Sequence, residues 1–274
     1  MSTTQVCSGS TRKHKLIERK GITVTQEISS SASSTAEVCK ETSSWYQRYY
    51  AEKGKLRNDL LRNPEVTFQA LAAEVSITRS LASLDLDVPS TTVLDVGCGD
   101  GSSLVHFLKL GFTPGLLHGI DILEDRISEA RRKLPDSHFL SGDAAAMPYE
   151  DSTFDVVFES TMFVQLTDEA LAMSIAKEML RVTKPGGYLL LSDWRYSKPG
   201  NTQYRGLTGR RIEKLFQSDD AQLLGYHKGA LIPPVGRFLS KYAACCYFPT
   251  WQFMPFLVGQ RVAVVSKPGE KKAA

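Results

Sequence analysis

A glycine-rich segment follows an apolar run in the first half of the chain. Residues 93–101 read Val-Leu-Asp-Val-Gly-Cys-Gly-Asp-Gly, so glycine occupies positions 97, 99 and 101. Glycine lets the backbone turn sharply and leaves no Cβ in the way of a ligand that lies against it. A loop at the carboxyl end of the first strand lies where doubly wound sheets bind ligands. The spacing therefore predicts a ligand-binding loop that follows Asp95.

Acidic residues end the next strand-like runs along the chain. Asp121 comes about twenty residues after the last glycine of the loop, in the run Gly-Ile-Asp-Ile. A carboxylate at this place can accept hydrogen bonds from both hydroxyls of a ribose. Asp143 follows the third strand-like run, and Glu159 stands at the end of the fourth. The sequence therefore predicts a site for a ribose-containing ligand.

The order of these motifs resembles that of class I S-adenosylmethionine-dependent methyltransferases of the small-molecule type. The resemblance covers roughly residues 45–193 and includes Leu180–Tyr188, which is similar to the family's helix end and fifth strand. It implies S-adenosyl-L-methionine as cofactor, with Asp95 near its ammonium group, Asp121 on the ribose and Asp143 at the adenine amine. Glu159 departs from the Ser, Asn or His often found at its place, so it either contacts the cofactor's amino-acid part or simply ends the strand. The implied cofactor-binding residues are Asp95, Gly97, Cys98, Gly99, Gly101, Asp121, Ile122, Asp143, Ala144 and Glu159.

Strand-like runs alternate with helical patterns from residue 92 onward, which is typical of an α/β doubly wound sheet. We predict a mostly parallel seven-stranded sheet of the Rossmann-like methyltransferase type, with N-terminal helices and a helical insertion before the last strand. The predicted strands are Val93–Val96, Leu117–Ile120, Ser137–Leu140, Phe154–Phe158, Tyr188–Leu191, Leu223–Ala230 and Arg261–Ser266. The predicted helices between them are Ser103–Leu110, Glu124–Leu134, Asp168–Val182 and Thr208–Gln217, with Lys184–Gly187 as a stop signal after the third.

The chain divides into a tail, a domain and a short end segment. Residues 1–41 are rich in Ser and Thr and poor in large apolar residues, so we expect a disordered tail, with a targeting peptide as the alternative. The methyltransferase domain is expected over residues 42–268, with helices at 44–84, and residues 269–274 are expected to be disordered. Tyr46, Tyr49 and Tyr50 lie on the first helix, and we expect packing rather than contact with the cofactor.

Polar and aromatic side chains follow the predicted fifth strand, at the edge where a methyl acceptor should bind. We expect Trp194, Arg195 and Tyr196 to contact the acceptor. The reaction expected is O-methylation of a metabolite or glycan-type molecule, with N- or C-methylation as the alternatives. A hydroxyl acceptor must lose a proton, although the sequence does not identify the base. The catalytic candidates are Asp193, Glu159 and His227.

Two further segments have alternative interpretations. Arg210, Arg211 and Lys214 form a basic run that either clamps an acidic acceptor or, as we expect, forms a solvated helix face. The apolar insertion at residues 235–257 is interpreted as a helix that covers the sheet, with a substrate lid or a lipid-facing surface as alternatives.

Composition limits the classes of partner. A formal net charge of +3, from 33 basic and 30 acidic residues, gives no basic surface for nucleic acid, so a small-molecule acceptor is expected. Five cysteines without metal-ligand spacing predict no metal site and a reducing compartment, and no apolar run is long enough to span a bilayer. We therefore expect a cytoplasmic protein, whose oligomeric state the sequence does not indicate.

Two other functions are compatible with parts of this pattern. A nicotinamide-dependent oxidoreductase would share the sheet and the acid that binds ribose. Its loop pattern, Gly-x-Gly-x-x-Gly, places the third small residue at position 102, which is Ser102 here, whereas the third glycine of this chain stands at position 101. A catalytically silent methyltransferase-like subunit that binds a partner protein would retain the fold without turnover.

Overall fold

The computed structural model describes residue 44 and residues 60–61, 63–197, 200–216 and 221–269. The expectations for the tail at 1–41, for Tyr46, Tyr49 and Tyr50, and for residues 270–274 lie outside the described residues. Within the described ranges, no helix is long and apolar enough to cross a membrane. No group of three His, Cys, Asp or Glu side chains in these ranges could hold a metal ion.

A single seven-stranded sheet with the order β3-β2-β1-β4-β5-β7-β6 organises the domain. The first five strands run parallel, and β7 pairs antiparallel with both β5 and β6. The sequence therefore predicted the mostly parallel doubly wound sheet correctly. The strands are β1 Val93–Val96, β2 Leu117–Asp121, β3 His138–Ser141, β4 Phe154–Ser160, β5 Thr183–Trp194, β6 Gln222–Lys228 and β7 Gln260–Ser266.

Helices cover both faces of the sheet, because the strands are apolar on both sides. Three helices, α1 Thr67–Ala82, α2 Ser102–Lys109 and α3 Glu124–Lys133, pack against one face through a core that includes Phe107 and Phe158. Two more, α4 Glu169–Val182 and α5 Gly209–Leu215, pack against the other face with Met179 and Leu189. The two cores hold the carboxyl ends of β1, β2 and β4 side by side.

The start of β5 differs most from the sequence prediction, whereas the starts of the other strands agree to within one residue. We expected Lys184–Gly187 to form a turn before a strand at Tyr188, but β5 already begins at Thr183, directly after α4. The register with β4 is irregular here, because Thr183 pairs with Phe154 and Tyr188 with Val156. The Gly186 N–H donates at 2.7 Å to the carbonyl of Lys267, the residue directly after β7. This bond holds the turn-like residues next to the last strand.

A third core cluster lies under the insertion between β6 and β7. We call residues 231–258 the cap; it contains α6 Pro233–Tyr242 and α7 Tyr247–Phe253. Tyr247 and Trp251 are buried against Phe68 and Ala72 of α1. The predicted helical insertion is therefore present, and its inner side packs on the N-terminal helix.

Arg211 of α5 does not belong to a solvated helix face. Its side chain is 5% exposed, and its guanidinium donates to the carbonyls of Phe163, Leu166 and Arg205 and to the Glu169 carboxylate. A rigid guanidinium can satisfy several carbonyls at once, which suits it to fixing an irregular segment. Arg211 therefore fixes the loop that follows β4, whereas the neighbouring Arg210 is exposed.

We predict that Arg211→Met lowers the free energy of unfolding by about 3 kcal/mol, because three carbonyls, one of them in a buried bond, and a carboxylate lose their donor. Arg210→Met is the matched control and should change stability by less than about 0.5 kcal/mol. Urea unfolding followed by circular dichroism measures both. Equal effects of the two substitutions would contradict a role for Arg211 in fixing the loop.

Candidate functional site

The glycine loop connects β1 to α2 at the carboxyl edge of the sheet. Gly97 and Gly101 both have φ of +73°, a conformation that other residues adopt only with strain. A Cβ at Gly97 would lie 3.1 Å from the Met162 sulfur, and one at Gly101 would lie 3.2 Å from the Phe139 ring. Gly97 therefore lets the loop after β4 come close, and Gly101 lets α2 pack on the core.

Asp121 joins the loop to the end of β2. One carboxylate oxygen accepts the Gly99 N–H at 2.9 Å, and the other accepts the Leu123 N–H at 2.9 Å. Burial raises the pKa of Asp121, while the two backbone N–H groups act in the opposite direction. Each carboxylate oxygen has a further lone pair, so the group can accept two more hydrogen bonds.

A cavity of about 660 Å³ opens beside the loop, within the size range of small-molecule sites. Gly97, Cys98 and Gly99 line it, and so do Asp121 and Ile122, which follow β2, and Asp143 and Ala144, which follow β3. Seven of the residues expected at the cofactor thus surround one space. Cys98 is buried, and burial raises the pKa of its thiol, so it is a small neutral wall residue.

Asp95 comes two residues before Gly97 and does not itself line this cavity. It is 1% exposed, and neither of its carboxyl oxygens has a hydrogen-bond partner among the described residues. Burial, and secondarily the charge of Asp121, raises the pKa of Asp95 well above its usual range. A buried polar group without a partner is costly, so this carboxyl is suited to pairing with a cationic or hydrogen-bond-donating group of a ligand.

Two other acids are buried at the ends of β4 and β5. A Glu159 carboxyl oxygen accepts the Met162 N–H at 3.0 Å, and an Asp193 oxygen accepts the Val164 N–H at 2.7 Å. Burial raises the pKa of Glu159 well above its usual range and that of Asp193 to about 7, and the charge of Asp193 adds to the effect on Glu159. Both acids thus contact the backbone of the loop after β4.

The remaining candidates lie away from the cavity. Trp194 packs into the core under the cap, and Arg195 donates to the carbonyls of Pro255 and Phe256. Tyr196 donates to the same Phe256 carbonyl. These three residues do not line the cavity, because the chain turns toward the cap directly after β5. His227 lies on β6 beside Ser83, 3.4 Å from its hydroxyl, and is also absent from the cavity wall.

Sequence reasoning missed one wall of the cavity. Arg126 of α3 lines it and lies 3.8 Å from Asp100. The rest of this wall comes from the loop after β4 and from the segment before α5. The sequence did show that this loop follows a strand, which is the place where lining residues are expected. The irregular path of the loop, however, depends on Arg211. The missed lining residues include Ser160, Thr161, Met162, Gln165, Leu166, Gln203 and Tyr204.

Comparison with known proteins agrees with this geometry. Residues 93–187 match the family model described as a methyltransferase domain. The chain is 35% identical over 139 residues to the 2-methyl-6-phytyl-1,4-hydroquinone methyltransferase of Synechocystis sp., covering 48% of this chain and 42% of that protein. It is 36% identical over 113 residues to the fatty-acid O-methyltransferase of Mycolicibacterium smegmatis, covering 40% and 39%. The matched segments thus span less than half of each relative's length.

Solved structures share the fold at low sequence identity. A putative sarcosine dimethylglycine methyltransferase from Galdieria sulphuraria superposes with a TM-score of 0.54 at 13% identity, covering 73% of this chain and 86% of that one. Identity this low supports the architecture only. Taken together, residues 93–187 are similar to a methyltransferase domain, and the seven-stranded, mostly parallel sheet has the same architecture as that solved structure.

Proposed function

We propose that this protein transfers the methyl group of S-adenosyl-L-methionine to a lipophilic small-molecule acceptor. The observation that carries the proposal is the pairing of the glycine loop with Asp121 at the edge of the cavity. The nearly balanced charge favours a small acceptor over a nucleic acid. The cytoplasmic location expected from the sequence remains part of this proposal.

The residues beside the cavity fit this cofactor. Asp121 would accept hydrogen bonds from the two ribose hydroxyls with its remaining lone pairs. Asp143 would accept a hydrogen bond from the adenine amine. Asp95, whose buried oxygens have no hydrogen-bond partner in the part of the chain that the structure describes, would face the cofactor's ammonium group directly or through water. When bound, the cofactor supplies a methyl group on a positively charged sulfur, which departs as a neutral thioether. The protein then mainly has to align two molecules and exclude water.

The loop after β4 supports a lipophilic acceptor. Met162 and Leu166 give the cavity an apolar wall, and Gln203 and Tyr204 add polar atoms that could orient a single functional group. By their names, the two relatives above act on a hydroquinone with a phytyl chain and on fatty acids. An acceptor with one polar head and an apolar chain suits this wall better than the glycan-type molecule considered from the sequence.

Glu159 and Asp193 are better suited to fixing the loop than to removing a proton from the acceptor. Both are fully buried, and each accepts a backbone N–H from residues 162–164. Neither they nor His227 line the cavity. We therefore favour an oxygen acceptor that is ionised in solution, such as a carboxylate or an acidic hydroxyl, because it needs no base from the protein.

We predict that Asp121→Ala raises the Kd for S-adenosylhomocysteine about a hundredfold, because two hydrogen bonds to a charged group are lost. Isothermal titration calorimetry measures this, and Asp125→Ala, an exposed acid on α3, is the matched control. Asp121→Asn keeps one acceptor and should have a smaller effect. An unchanged Kd in both Asp121 variants, with the fold intact, would remove the ribose assignment.

Tyr204→Ala should lower kcat/KM for a detergent-dispersed fatty acid about tenfold, while the Kd for S-adenosylhomocysteine changes only a few-fold. Steady-state kinetics and calorimetry on the same preparation give both values. Tyr226→Ala, an exposed tyrosine of β6 outside the cavity, is the control. If the Kd rose as much as kcat/KM fell, Tyr204 would belong to the cofactor half of the cavity.

The buried acids predict an unusual dependence of stability on pH. A raised pKa means that the folded protein keeps a proton that the unfolded chain loses, so the contribution of these two acids to stability falls as pH rises from about 4 toward about 7. Glu159→Gln keeps an acceptor for the Met162 N–H and removes one ionisation, so this fall should become shallower. Thermal unfolding across that pH range measures the slope. An identical slope in both proteins would show that the pair does not carry the effect.

A further inference from the structure

The cap rises from the same edge of the sheet as the cavity. β6 ends and β7 begins at this edge, since Lys228 pairs with Arg261 and Gln260 with the end of β5 at Trp194. The Ile232 N–H donates to the Leu257 carbonyl at 2.8 Å and closes the base of the insertion. The cap is therefore a closed element at the same edge of the sheet as the glycine loop, although it does not line the cavity.

The outer side of the cap exposes large apolar side chains. The ring centroids of Phe238 and Tyr242, one helical turn apart on α6, lie 5.3 Å apart. All five residues from 252 to 256, at the end of α7 and beyond, are exposed. Soluble proteins seldom leave such a group in water without a partner. The outer set consists of Phe238 at 59%, Tyr242 at 68%, Phe253 at 81%, Met254 at 45% and Phe256 at 64% exposure.

The charge that the cap itself carries has one sign, although Glu65 lies on the segment packed against α6. Residues 221–269 contain no Asp or Glu, although the whole chain is nearly balanced at 33 basic to 30 acidic residues. Lys241 is exposed on α6, with its ammonium 5.2 Å from the centre of the Tyr242 ring. Arg195 reaches the cap from the end of β5 and binds the carbonyls of Pro255 and Phe256. Aromatic side chains set among cations are complementary to anionic lipid headgroups above hydrocarbon.

We propose that the outer side of the cap binds the surface of an anionic membrane. In this arrangement the protein would lie on the surface and insert the outer set among the lipids. This inference rests on the proposed function, because an acceptor with an apolar chain is dissolved in the membrane. With the cap on the lipid, the cavity at the same sheet edge would lie near the acceptor's polar head.

Vesicle co-sedimentation of the full-length protein tests the proposal. We expect binding to vesicles of phosphatidylcholine with phosphatidylglycerol, weak binding to phosphatidylcholine alone, and release at high salt. Phe253→Ser/Phe256→Ser should lower the partition coefficient at least tenfold, because each ring loses its burial in lipid. Lys241→Glu should weaken only the binding that depends on the anionic lipid.

Two methionines provide a matched pair, because Met254 on the cap and Met173 on α4 are each 45% exposed. Met254→Ser should reduce vesicle binding and Met173→Ser should not. Absent binding, or equal loss in the two variants, overturns the proposal. Light scattering that shows a dimer dissociated by Phe253→Ser/Phe256→Ser would assign the outer set to a second copy instead. Loss of binding on deletion of residues 1–41, with Phe253→Ser/Phe256→Ser having no effect, would assign the lipid contact to that segment.

The proposed function is tested separately on the same preparations. If S-adenosylhomocysteine binds and a dispersed acceptor is methylated while vesicles do not bind, only the membrane proposal fails. If vesicles bind but the cofactor product does not, the proposed function fails and the lipid surface stands.

Discussion

The contact between Asp121 and the Gly99 N–H connects the two parts of the chain on which the site depends. It joins the loop after β1 to the end of β2, and the same carboxylate also accepts the N–H of Leu123 at the start of the next helix. The acid stays half-buried at the cavity edge, with lone pairs left for a ligand. The same side chain thus stabilises the fold and can bind a ligand. Its place at the end of a strand allows both.

The sequence was sufficient to predict the sheet and the cavity-lining residues that follow its first three strands. Local pattern predicted them, because alternating apolar runs set the strands and a parallel sheet brings their carboxyl ends together. The irregular parts were predicted poorly. Arg211 looked like a surface residue from its basic neighbours, and only the folded chain brings the carbonyls of Phe163 and Leu166 to it.

The residues expected to contact the acceptor after β5 do not line the described cavity, for a related reason. Because Trp194 and Arg195 stand at the end of a strand, the sequence predicted that they would face an acceptor. In the structure the Trp194 indole packs against the core under the cap, and the Arg195 guanidinium donates to carbonyls of the cap. Tyr204, a few residues further on, lines the cavity instead. Contacts between distant segments decided which of these neighbouring aromatics faces the cavity, and sequence periodicity does not contain that information.

The fold supports many reactions, so the central claim is best tested by the reaction itself. The direct measurement is incubation of the full-length protein with methyl-labelled S-adenosylmethionine and a membrane lipid extract, followed by separation of the labelled products. The account predicts label in an apolar product, with S-adenosylhomocysteine formed in equal amount. A protein that binds S-adenosylhomocysteine but transfers no label to any lipid or water-soluble fraction would contradict it, and would instead fit a methyltransferase-like subunit without turnover.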